Sequence, residues 1–75
     1  MTTSDQLRAA RALKAMSQRE LADLIGSTTK TIRRAETGTD TVSPQTIQAI
    51  RAALEAKGVE FIEANGGGAG VRLKK

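Results

Sequence analysis

The apolar positions of this 75-residue chain fall into four helical stripes followed by two short alternating runs. Leu7, Ala10, Leu13 and Met16 recur at helical spacing while Asp5, Arg8 and Lys14 lie mostly off that line, so about residues 4–15 read as an amphipathic helix. Thr3 or Ser4 can cap it, with Gln6 placed to close a capping box on Thr3. Arg11 breaks the pattern. It follows Leu7 by one helical turn, at the edge of the apolar stripe or inside it, and a buried Arg requires a carboxylate. Ser17-Gln18-Arg19-Glu20 again has capping-box form, so a second helix starts at Gln18 with Leu21, Ala22, Leu24 and Ile25 on its inner face. Ala22 is small where a neighbouring helix must come close. Gly26 ends this helix by taking a left-handed conformation at no steric cost.

A third helix follows almost at once, capped by Thr28 or Ser27 and closed by Gly38. Ile32 and Ala35 face inward, whereas Thr29, Lys30, Arg33, Arg34 and Thr37 face out. A run of cations is usually a solvated helix face. Here the helix is short, follows a Gly turn, begins with Thr and is basic on its outer side, which favours contact with nucleic acid.

Residues 38–42 form a polar loop of turn formers. Ser43 then caps a fourth helix with Pro44 at its first position, where the missing N–H does no harm. Ile47, Ile50 and Leu54, with Ala53 or Ala49, make its buried stripe, and Gly58 terminates it after Lys57. Residues 59–62 and 71–74 alternate apolar with polar, the mark of half-buried strands, around Asn65-Gly66-Gly67-Gly68-Ala69-Gly70. A glycine loop that cradles phosphate leads into a helix; a strand follows this one, so the segment predicts a hairpin instead. The chain thus divides into a helical domain, 1–58, and a C-terminal hairpin, 59–75. Two strands alone are only marginally stable, so the hairpin should pack on the helices, pair with its copy in a second subunit, or both. Val59, Phe61, Val71 and Leu73 share one face and are the expected homodimer interface. Lys74 and Lys75 read as a solvated, frayed end.

Composition narrows the chemistry. With 12 basic and 8 acidic side chains the chain carries a net charge of +4, which favours anionic partners. It contains no Cys and no His, so thiolate or imidazole metal sites, thiol nucleophiles and His-assisted triads cannot be built. Catalysis would have to run on Asp, Glu, Lys, Ser or Thr, and no motif pairs two of these as acid and base. The expectation is a non-enzyme without metal, cofactor or small-molecule substrate. No apolar run approaches the ~20 residues of a membrane span, and the opening residues lack the basic-then-apolar form of a secretory signal, which predicts a cytoplasmic protein. With no Trp or Tyr and a single Phe, a stacking platform for RNA is missing.

Gln18, Ala22, Gly26, Ile32 and Glu36, with Arg11 upstream, resemble the helix-turn-helix of the Cro and phage-repressor type, the xenobiotic-response-element family, over residues 7–54. The resemblance implies a mainly α, lambda-repressor-like bundle of four helices, here with a C-terminal β-hairpin. It also implies a bacterial or phage transcription regulator that binds an inverted-repeat operator in double-stranded DNA as a homodimer, with recognition helix 28–37 in the major groove. Carried over by position, Arg11 and Glu36 form a buried ion pair, Thr29, Lys30 and Arg34 contact base edges, and Gln18, Thr28, Arg33 and Thr37 contact the DNA backbone. Lys30 and Arg34 share one helix face, and both residue types pair with guanine O6 and N7. The chain departs from the family in two places. Its 38–42 loop carries Asp40 and no basic residue, which weakens phosphate contacts there, and its fourth helix is long and takes the place of two short ones. The alternative is a protein-interaction module, anti-activator or antitoxin-like, on the same scaffold.

Overall fold

Both capping boxes form in the computed structural model, which describes residues 2–38, 41–64 and 66–74. At the start of α1 (Ser4–Leu13) the Thr3 hydroxyl accepts the Gln6 N–H at 3.1 Å, and Gln6 Oε1 accepts the Thr3 N–H at 2.9 Å. At the start of α2 (Gln18–Ile25) the Ser17 hydroxyl accepts the Glu20 N–H at 3.0 Å and Glu20 returns the bond at 2.8 Å. Gly26 ends α2 at φ 67° and Gly38 ends α3 (Thr29–Thr37) at φ 68°, both left-handed. Thr28 caps α3 and Ser43 caps α4 (Pro44–Ala56). The first helix is shorter than its periodicity suggests: it stops at Leu13 because Ala15 turns the chain at φ 52°, a conformation uncommon for a residue with a Cβ.

The core joins all four helices to the hairpin: Leu7, Ala10, Leu21, Ala22, Ile32, Ala35, Ile50, Leu54, Val59 and Phe61 are buried together. Two stripe positions stay outside it. Leu24 is 47 % exposed because it falls on the outward stripe of α2 beside Glu20 and Asp23, while Leu21, Ala22 and Ile25 already fill the inner arc. Leu13 is 42 % exposed, at the end of α1, where the chain turns away before anything covers it. Ala53, half-buried, completes the stripe of α4, and Ala49 is exposed.

The hairpin pairs β1 (Val59–Ile62) antiparallel to β2 (Gly70–Leu73), with Val59 opposite Leu73 and Phe61 opposite Val71. The second strand thus starts at Gly70. The Lys74 N–H donates to the Gly58 carbonyl at 2.6 Å, which carries the ladder one pair further and ties down a residue expected to fray; Lys75 and Asn65 lie outside the described residues. Val59 and Phe61 point into the helical core, so half of the face expected between two subunits is consumed within one. The boundary at residue 58 therefore separates two elements of a single core. The Arg51 guanidinium covers the other side of Phe61, 4.9 Å from the ring centre, and bonds to Thr2, Glu55 and Glu63.

The amide of Gln6 fastens the hairpin to α1. Besides its capping bond, Gln6 donates from Nε2 to the Ile62 and Gly70 carbonyls, both at 3.0 Å, and so bridges the two strands at their facing residues. The opposite face of α1 meets α3: a Cβ at Gly38 would lie 2.9 Å from Ser4 Oγ, and Arg8 and Arg11 both reach Glu36. Hairpin and α3 thus lie on different sides of α1. No helix among the described residues is long and apolar enough to cross a membrane.

Candidate nucleic-acid interface

The third helix is amphipathic in an unusual sense, because its inner face contains a charge. Ile32, Ala35 and Glu36 are buried, with the Glu36 side chain 3 % exposed. A carboxylate that deep must be partnered. Arg11 meets it with two parallel bonds, Nε to Oε2 at 2.6 Å and Nη2 to Oε1 at 3.0 Å, the bidentate fork that suits guanidinium to carboxylate. The hydrogen bond to Glu36 raises the Arg11 pKa further above its ordinary value, against the opposing effect of burial. The remaining Arg11 donor, Nη1, reaches the Met16 carbonyl at 2.8 Å and braces the turn into α2.

Two more side chains join this node. Gln18, the first residue of α2, donates from Nε2 to Glu36 Oε1 at 3.3 Å. The residue expected at the DNA backbone is therefore held by the same carboxylate that holds α3. Arg8 donates to the Glu36 carbonyl at 2.9 Å, satisfying a backbone acceptor near the helix end, and pairs with exposed Asp5 at 2.6 Å. Arg8 was missed as a clamp, yet Ser4, Arg8 and Arg11 recur at helical spacing and mark the face that meets α3.

Outside the node, α3 is cationic. Lys30, Arg33 and Arg34 are exposed on its outer side, Thr29 is half-buried at the flank, and the helix's single acid is the buried Glu36. Among the described residues Lys30 and Arg33 make no salt bridge. Successive turns present Lys30, Arg34 and Thr37. The Thr28 hydroxyl accepts the Thr31 N–H at 3.2 Å as the helix cap and lies 3.1 Å from the Thr31 hydroxyl. The Thr37 hydroxyl turns back to donate to the Arg34 carbonyl at 3.4 Å. Thr39 and Asp40, the loop residues expected beside the DNA backbone, lie outside the described residues. Arg19, in the first turn of α2 and exposed, adds a cation next to Gln18 that the sequence reading passed over.

Two short helices joined by a glycine turn, the second with a locked inner face and a basic outer face, define a helix-turn-helix protein. The helix-turn-helix family model matches residues 7–61, and the chain belongs to that family, the DNA-binding transcription regulators of the Cro and repressor type. The match takes in all four helices after the first turn of α1 and runs into β1, ending at Phe61, so β2 lies beyond it. No curated protein matches the chain.

Proposed function

We propose that this regulator reads an inverted-repeat operator as a homodimer, each copy laying α3 along the major groove with Thr29, Lys30 and Arg34 at base edges. The observation that carries this reading is the outer face of α3, basic or hydroxyl-bearing throughout, on a helix whose tilt is fixed by Arg11, Gln18 and Arg8 through one glutamate. Gln18, Thr28 and Arg33 sit at the N-terminal ends and flank of the two helices, where phosphates pass, and supply register without sequence information. Thr37 is the weakest of the backbone contacts because its hydroxyl is already bonded to its own helix. Affinity comes mainly from phosphate neutralisation and falls steeply with salt. Two copies are needed because one short helix reads only a few base pairs, and a two-fold dimer sets two such helices about one DNA turn apart. A partner docked on the hairpin side of α1 leaves α3 uncovered.

Footprinting of the promoter region upstream of the protein's own gene tests the proposal. The expected result is a protected inverted repeat with half-site centres about 10 base pairs apart. Protection no stronger than on random DNA would overturn it.

A further inference from the structure

Among the described residues, Leu13, Leu24, Ile62 and Leu73 are the large apolar side chains left exposed. Three of them gather at one end of the molecule. Met16, Leu24 and Lys57 line one groove together with Glu20 and Asp23. Lys57 leads directly to Gly58, whose carbonyl accepts the Lys74 N–H at 2.6 Å, so Leu73 lies beside that groove. Gln6 fixes Gly70, the start of β2, near the start of α1, and Lys74 is tied to Gly58, next to the Lys57 that shares a groove with Met16 just past the end of α1, so β2 runs along α1 and carries Leu73, 52 % exposed, toward Leu13. The outcome is an apolar strip of Leu73, Leu13, Met16 and Leu24 drawn from three elements. Contiguous apolar surface of this kind marks an interaction site where scattered leucines would not.

The charges along the strip say what covers it. Glu20 and Asp23 border it on the α2 side and Lys57 on the other. Asp23 and Lys57 make no salt bridge among the described residues. A surface with one acidic and one basic border is complementary to itself: a two-fold rotation sets each acidic border against Lys57 of the other copy and leucine against leucine. A partner of uniform charge would be repelled along one border. None of these residues belongs to α3.

We propose that this strip is the seat of a second copy of the chain, joined about a two-fold axis with Asp23 of one copy facing Lys57 of the other. The assignment rests on the homodimer of the preceding section and replaces its expected interface, since Val59 and Phe61 are buried within one copy. Sedimentation velocity of the full chain at low salt tests it, with Asp23→Lys, Lys57→Asp, their combination, and Leu24→Asn, all at exposed positions. The wild type sediments as a dimer. Each single variant raises the dimer dissociation constant about tenfold or more, and the combined charge exchange restores most of it. A wild-type dimer that none of the variants weakens overturns the strip and leaves the homodimer standing. So does a combined variant no tighter than its parents, which removes the Asp23–Lys57 pairing. A wild type that sediments as a monomer overturns the homodimer and the strip with it.

Discussion

On the inner side of α3, Glu36 is 3 % exposed and held by Arg11, Gln18 and Arg8; on the outer side, Lys30 and Arg33 stand in solvent without a carboxylate among the described residues. The two faces use the same kinds of side chain under opposite conditions. A charge taken out of water is tolerated only with its donors and acceptors matched, so the inner pair is tied to one geometry and fixes how α3 leans on α1 and α2. A charge left in water keeps its hydration and contributes little to folding, which leaves it available for a polyanion. Burial, more than residue type, separates the charges that build the helix's position from those that can use it.

The separation is broken most forcefully from inside. Glu36→Ala strands Arg11 and should lower the free energy of unfolding in urea by about 3 kcal/mol, with DNA binding lost only as the fold is lost. Replacing both partners, Arg11→Met with Glu36→Leu, should recover most of that loss, because the penalty belongs to the unpaired charge.

The outer face should respond in binding and not in folding. Arg34→Ala is expected to cost about 1 to 3 kcal/mol on operator DNA and to relax preference at one position of each half-site, while unfolding shifts by less than about 1 kcal/mol. Arg33→Ala should weaken binding evenly on all sequences and reduce the slope of log affinity against log salt by about 1, as measured by titrations at several ionic strengths.

The smallest effect concerns pH. The Ser17 N–H and hydroxyl hold the Glu20 carboxyl below its ordinary range. A lowered pKa in the folded state gives stability that is present above the unfolded value and fades as pH falls through the folded one. Acid unfolding curves of Glu20→Gln should therefore be flatter than wild type below the ordinary Glu pKa of 4.5 and parallel to it near neutrality. Arg11, whose pKa is raised further above the ordinary guanidinium range by its bond to Glu36, stays charged across the acid range, so the guanidinium side of the inner pair does not titrate there.

What the sequence discloses about these two faces is local. Capping boxes at Thr3 and Ser17 and glycines at the ends of α2 and α3 are short-range chemistry, decided by residues three or four apart, and they are legible without a fold. The arc of α3 that faces out follows from periodicity, and the partnership of Arg11 with Glu36 from a family pattern laid over a charge in an apolar stripe. Periodicity does not say how far the neighbours extend, which is why Leu13 and Leu24 read as core and lie outside it. Nor does it show that one polar side chain serves twice. Gln6 closes a box within its own turn and also clamps strands 56 and 64 residues away, and Arg8 reaches Glu36 across 28 residues. Those bonds exist only once the helices and hairpin are assembled. The hairpin was legible as a hairpin, but its apolar face could be turned toward the helices or toward a copy, and alternation is blind to that choice.

The claim that α3 holds with one face and reads with the other comes down to a ratio. The measurement is the affinity of Lys30→Ala/Arg34→Ala for operator DNA relative to random DNA at one salt concentration, beside its unfolding midpoint. The two-face account requires the ratio to collapse toward one while the midpoint stays near that of the wild type. A wild-type ratio in the double variant, or a collapse accompanied by unfolding, would contradict it.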